Sequence, residues 1–315
     1  MTRIILSTGN IITGGPSIIR KPGAARSNLE LTNSLRNNFQ AAQQDYAGSP
    51  TSSNGNKQEN GHSAQEDSRP RIDAWTATED SVLYIPRIDW TAAGLQEDRA
   101  QYEITVKLFF LPNTSVAKRA EFIDEALRLV TKELQVENID LLIASFPGIS
   151  FEGDCEWEAD KINATMGNDQ EEVVTWAALE SLHEQGKVAR LGIAEFGSEK
   201  LQRFINQVKV PPAVDQINIK DCCSVPPPLT KLANSAGIEL LTHGDCTDIL
   251  PSGTLRELLG RGGQGAGILT DDEKAQNGLQ GNLIPQWVVK YTAFVNYRGV
   301  IENKGYFAGA ELVNA

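Results

Sequence analysis

The sequence predicts an α/β protein built as a single (β/α)₈ barrel. Three observations point there. Short apolar, strand-like runs alternate with segments whose apolar residues recur every three or four positions, the pattern of serial βα units and a parallel sheet. The run "IDLLIASFP" at 139–147 is almost continuously apolar, as in a strand covered on both faces. About 250 residues organised this way close most simply into a barrel. A doubly wound open sheet is the alternative arrangement.

The elements follow in order. "EITVKLFF" (103–110) is a strand. Val116, Ala120, Ile123, Leu127, Val130 and Leu134 then stripe one face of a helix, with Ser115 placed to cap it. After "IDLLIASFP", a helix near 170–185 carries Val173, Trp176, Ala177 and Leu182, and Gly186 suits its end. "ARLGIAEF" is a strand, Leu201, Phe204, Ile205 and Val208 stripe the next helix, and "AVDQINI" is the strand after it. Leu229, Leu232, Ala233 and Ala236 mark a helix stopped by Gly237, and "IELLTH" is again a strand. Helices near 252–259 and 284–294 and a strand from about residue 299 complete the series. Residues 1–315 thus read as one barrel with two insertions. Residues 43–72, rich in Ser, Asn, Gln, Gly and charge, are expected to be disordered, and 260–282 to form a flexible Gly-rich loop.

Composition narrows the function. The chain has 315 residues, 40% of them hydrophobic, with 29 Lys and Arg against 41 Asp and Glu, a net charge of −12. That balance opposes binding to nucleic acid or to an anionic membrane, since both need a basic face. No apolar run approaches the roughly 20 residues of a membrane span, and "MTRIILSTGNIITGG" makes a poor secretory signal. A soluble, cytoplasmic protein is expected. Cys155, Cys222, Cys223 and Cys246 are too few for a disulfide framework. No metal is expected either: His243 and Cys246 lie close, but adjacent Cys222 and Cys223 do not converge readily on one ion. "GRGGQG" (260–265) fits G-x-G-x-x-G but follows a helix and opens none, so it reads as a loop.

Specific segments carry a resemblance. "GKVARLGIAEFGSEKLQRF", "VDQINI" and "AGIELLTHGD" resemble consecutive βα units of the aldo-keto reductase barrel. "DQINIKDCCSVPPPLTKLANSAGIELLTHGD", "WVVKYTAFVNYRGVIENKGY" and the short "TGNII" are similar to a non-enzymatic branch of it, the modifier (regulatory) subunits of glutamate–cysteine ligase. The likeness spans most of 103–310.

The resemblance implies a pocket that has lost its chemistry. Lys107 and Gln216 stand where reductases place a lysine and a glutamine. Ser145 replaces the histidine at the substrate carbonyl, Ala194 and Glu195 replace the Ser-Asn pair that holds the carboxamide, and His243 replaces the Tyr that stacks on nicotinamide. Serine supplies no imidazole, alanine no hydrogen bond to an amide, and Glu195 sets a carboxylate where the cofactor would lie. No Asp-Thr-Ala…Tyr segment occurs in the first hundred residues; Tyr46, Tyr84 and Tyr102 lack its surroundings. Without a positioned Tyr, no proton reaches the alkoxide that hydride transfer forms. Lys304 lies near the reductases' cofactor-phosphate position and reads as a surface lysine.

The resemblance therefore implies no catalytic residues and no cofactor, with weak NADPH binding without turnover left open. It implies one partner, the glutamate–cysteine ligase catalytic subunit in a heterodimer, whose use of glutamate would improve and whose inhibition by glutathione would be relieved. The alternative is an NADPH-dependent reductase using Lys107 with another Tyr. Cys222 and Cys223, ahead of Pro226–Pro228, read either as small buried hydrophobes or as a rigid loop with a thiol for partner contact or redox sensing.

Overall fold

The computed structural model describes residues 2–13, 26–47, 69–218, 224–270 and 278–313. Cys222 and Cys223 lie outside the described residues, as do 48–68 of the expected insertion.

The chain opens with β1 (Thr2–Ser7), α1 (Ser27–Ala47) and α2 (Ile72–Trp75), then β2 (Ala77–Glu79) and β3 (Val82–Ile85). The expected alternation follows: β4 (Tyr102–Phe110), α3 (Val116–Leu134), β5 (Ile139–Ser145), a short α4 (Glu156–Asn163), α5 (Asp169–Glu184), β6 (Val188–Ala194), α6 (Ser198–Ile205), β7 (Val214–Asn218), α7 (Pro227–Ala236) and β8 (Glu239–His243). After α8 (Thr254–Leu259) come two long strands, β9 (Asn282–Val295) and β10 (Val300–Val313).

The described strands form one ten-stranded sheet in the order β2-β3-β1-β10-β9-β4-β5-β6-β7-β8. Strands β4 to β8 run parallel, as the βα repeat predicts. The departure lies at the C-terminal end. Residues 284–294, expected to be helical, belong to β9, which pairs antiparallel with β4 and β10. The reason is the period. Trp287, Val289, Tyr291, Ala293 and Val295 alternate along one face and are all fully buried.

Each strand sends alternate residues to opposite faces. On one face Ile104, Val106, Leu108 and Phe110 of β4 join Trp287, Val289 and Tyr291 of β9 against α3, α5, α6 and α7. Fully burying a Leu or Phe side chain contributes about 1.5–3 kcal/mol, so this large cluster dominates the stability. On the other face Leu31, Leu35 and Phe39 of α1, spaced four apart, pack on Ile4, Leu6, Ile85 and Ala308 together with α2 and α8. Close approach of the strands needs glycine at two places in β10. A Cβ on Gly309 would stand 2.3 Å from the Trp287 ring, and one on Gly305 would stand 2.3 Å from the Tyr291 hydroxyl.

The two interrupting segments are only partly described. Residues 43–47 are the last turns of α1, and Ile72 begins α2, whose Trp75 is fully buried. Within the Gly-rich segment, Ile268 and Leu269 are buried, and Leu279 bonds back to Ile268; residues 271–277 lie outside the described residues. Within "GRGGQG" the N–H groups of Gly260 and Gly265 donate to the carbonyls of Arg256 and Gly262, and just after it those of Ala266, Gly267 and Ile268 donate to Leu258, Gly260 and Leu259. Those donors are spent on the turn, whereas a phosphate cradle needs them free.

Candidate functional site

Polar side chains gather on the α1-facing side of the sheet, where β4, β7, β9 and the turn after β8 meet. Lys107 and Lys290 are direct cross-strand partners in the β4–β9 register, and Tyr306 is the partner of Lys290 on β10. Like charges placed opposite each other destabilise a sheet. Asp245 relieves this pair: one carboxylate oxygen is 3.2 Å from Lys107 Nζ and the other 2.7 Å from Lys290 Nζ. Lys107 also donates to Gln216 Oε1 at 3.1 Å, across the curl of the sheet from β4 to β7.

The charges set one another's protonation. Burial pushes Lys107 down from the ordinary lysine range, and the carboxylates of Asp245 and Glu195 oppose that only in part. Burial alone would raise Asp245, but Lys107, Lys290 and His243 outweigh it and hold the carboxyl below the usual range. His243 lies between two acids. Its Nε2 is 2.5 Å from Glu195, and its Nδ1 is 3.8 Å from Asp245 and accepts the Asp245 backbone N–H at 3.1 Å. Glu195 sits just past β6 with φ +66°, the left-handed region that glycine favours, so a non-glycine residue there carries strain. Its backbone is fixed on both sides, by Glu195 N–H to the Gln216 carbonyl and by Asn163 to the Glu195 carbonyl.

The start of α1 closes over this group. Ser27 Oγ accepts the Cys246 N–H at 2.7 Å, Asn28 Oδ1 accepts from Cys246 Sγ at 3.3 Å, and Glu30 takes the Tyr306 hydroxyl at 2.6 Å. Lys304, expected at the surface, is instead half-buried and bonds Glu30 Oε2 at 2.8 Å. Tyr306 is pushed far above the ordinary tyrosine range, first by burial and then by the negative charge of Glu30.

Of the residues singled out in the sequence, the fold brings Lys107, Gln216, Glu195 and His243 together. Ser145 ends β5 opposite Phe109, half-buried, and Ala194 is buried in a small apolar cluster with Leu141, Ile143 and Val214. Sequence reasoning missed Asp245 as the centre of the network, and Lys290, Tyr306 and Glu30 altogether. Lys290 was hidden by the expected helix. The alternation of Val289, Tyr291 and Ala293 with Lys290 and Thr292 was the signal that could have exposed it. Among the described residues, no group of three or more His, Cys, Asp or Glu is arranged to hold a metal ion. No described helix is long and apolar enough to cross a membrane.

Fold and site together define a βα scaffold of reductase type whose sheet carries a buried lysine–aspartate centre joining β4, β9 and the turn after β8. Residues 89–305 match the model of the aldo/keto reductase family, and the chain belongs to that family, among the relatives named as glutamate–cysteine ligase regulatory subunits. One such relative, from Schizosaccharomyces pombe and provisionally so named, is 31% identical over 68% of this chain and 71% of its own length. The subunits from mouse and human are each 26% identical, over 68% of both chains. A solved aldo/keto reductase from Brucella melitensis aligns with a TM-score of 0.35 and 20% identity, over 52% of this chain and 54% of the other.

Proposed function

We propose that this chain is a non-catalytic, cytoplasmic regulatory subunit. It binds the catalytic subunit of glutamate–cysteine ligase as a heterodimer, improves its use of glutamate and relieves its inhibition by glutathione. The names of the relatives support the partner. One observation supports the non-catalytic part: the ionisable groups at this centre are already engaged with one another and with α1. Lys107 is held by Asp245 and Gln216, Asp245 also holds Lys290, and the Tyr306 hydroxyl donates a hydrogen bond to Glu30.

A hydroxyl raised so far above neutrality and bonded to a carboxylate makes a poor general acid, whereas efficient proton transfer needs a pKa near the working pH. A nicotinamide cofactor does not fit the residues at this end of the sheet. His243 abuts Glu195 at 2.5 Å where a stacking ring would be needed, and buried Ala194 offers no hydrogen bond to a carboxamide. Regulation would then act through differential binding: a subunit that grips the active conformer more tightly shifts the equilibrium by that difference and no more. Cys222 and Cys223 stay candidates for a partner-contact or redox role.

The test is ligase kinetics with this chain added to a purified catalytic subunit. The reading expects a lower apparent KM for glutamate, weaker inhibition by glutathione, and no NADPH-dependent reduction of aldehydes by this chain alone. Unchanged kinetics without co-elution would refute it.

A further inference from the structure

Helix α4 is built inside out. Its inward positions hold Ala159, Asp160 and Asn163, all buried, while Trp157 is 56% exposed and Ile162 40% exposed. A surface helix ordinarily turns its apolar stripe to the core, and a large apolar side chain in water beside buried polar ones is the informative inversion.

The inversion is fixed in place. Asp160 accepts from the Ser198 N–H at 2.6 Å and from its hydroxyl at 2.5 Å. Asn163 donates to the carbonyls of Ser150 and Glu195, each at 2.7 Å, and accepts the Gly197 N–H at 2.6 Å. Turning the helix to hide Trp157 would strand these buried polar groups. A Cβ on Gly197 would stand 2.5 Å from Asp160, so the neighbouring turn is packed directly against the same face.

The surroundings of the exposed indole are acidic. Glu152, Asp154, Glu156 and Glu158 fall within seven residues. Glu158 accepts the Asp154 N–H at 3.1 Å and Glu152 accepts the Thr247 hydroxyl at 3.2 Å, while Lys161 is the one base on the helix. An exposed indole flanked by carboxylates matches a protein surface with a recess for one ring and a Lys- or Arg-bearing rim, where a guanidinium can also stack on the indole. A second copy is a poor occupant, because a two-fold interface would set the same carboxylates against each other.

We infer that the outer face of α4, anchored on Trp157 beside Glu158, is the surface on which the basic-rimmed protein partner docks. The inference rests on the proposed function for the identity of that partner, the ligase catalytic subunit. The experiment titrates full-length wild type, Trp157→Ala, Glu158→Lys and the control Val174→Ala (another exposed apolar residue, on α5) against purified catalytic subunit by calorimetry. Trp157→Ala should weaken binding by about ten-fold or more, as a central aromatic anchor does. Glu158→Lys should weaken it at low salt and flatten the salt dependence, and Val174→Ala should leave it unchanged. Circular dichroism and melting of Trp157→Ala should match wild type, because an exposed ring contributes little to the fold. Tight wild-type binding with Trp157→Ala and Glu158→Lys unaffected would overturn the docking face and leave the proposed function standing. Failure of wild type itself to bind would sink the proposed function, and this assignment with it. Sedimentation showing a dimer of this chain that Trp157→Ala disperses would overturn the assignment in favour of self-association.

Discussion

Replacing Asp245 by Asn keeps the shape of the polar centre and removes the one charge that lets two lysines face each other across β4 and β9. The attraction lost is large in gross terms: at separations of 2.7 and 3.2 Å, Coulomb's law with an effective dielectric of about 20 gives roughly 5–6 kcal/mol for each pair. Desolvation of the wild-type charges offsets much of that, and Lys290 is partly in water, its side chain 22% exposed. What remains is the cost of leaving Lys107, 4% exposed, with only the Glu195 carboxylate to oppose its charge. Removing one partner of a buried pair costs about 3–5 kcal/mol.

The sign of the pH dependence follows. In wild type, burial already lowers Lys107; without Asp245 it falls further. Between that lowered value and the unfolded lysine value of about 10.4, the unfolded chain binds more protons than the folded one, so the variant gains stability as pH rises. Urea unfolding of both proteins at several pH values between about 7 and 9 should show a gap near 3–5 kcal/mol at the lower end that narrows upward. Adding Lys107→Met to Asp245→Asn should recover part of the loss, and the double-mutant cycle measures the coupling. A gap below about 1 kcal/mol that does not change with pH would refute the view that Asp245 neutralises a buried lysine pair.

Two further perturbations test other parts of the molecule. Asp215 is fully buried on β7, one oxygen taking the Phe196 N–H at 3.4 Å and the other without a partner among the described residues, and burial raises its carboxyl well above the ordinary 3.8. The folded state therefore holds the proton longer than the unfolded state and loses stability as pH climbs above that value; Asp215→Asn should remove that slope and be the more stable protein at about pH 7. Parallel slopes for the two proteins in urea titrations would contradict it. Gly309→Ala would force a methyl to within 2.3 Å of the fully buried Trp287 ring and should cost about 1–3 kcal/mol, read as a lowered melting temperature. An unshifted melting temperature would show that the ring moves freely.

The βα half of the molecule was legible because its signals are local. The stripe Val116, Ile123, Leu127 and Val130 and the glycines at 186 and 237 lie within single elements, and both glycines take the expected positive φ. β9 was misread because Val288 and Val289 stand side by side and blur the alternation that Tyr291, Ala293 and Val295 would otherwise display. α1 went unread for the opposite reason: its apolar stripe, Leu31, Leu35 and Phe39 continued by Ala42 and Tyr46, is thin in a polar context of Asn, Gln and Ser. Within the site, Lys107, Gln216, Glu195 and His243 stood out through resemblance. Asp245 joins Lys107 to Lys290 only through strand register and the curl of the sheet, neither of which a linear pattern encodes.

The strand order also dictates when this sheet can be joined. β2, β3 and β1 form one wing of the sheet, and β4 to β8, later in the chain, form the other. Among the described strands, β10 pairs with β1 and β9 pairs with β4 across the gap, so two strands made after both wings join wings that share no described strand pairing before then. During synthesis the Lys107–Asp245 contact can form with the second wing alone, yet Lys290 and Tyr306 arrive later, and with them the seat of α1. A ribosome-stalled chain ending near residue 281 would carry both wings with open edges, the condition in which nascent chains are most prone to aggregate.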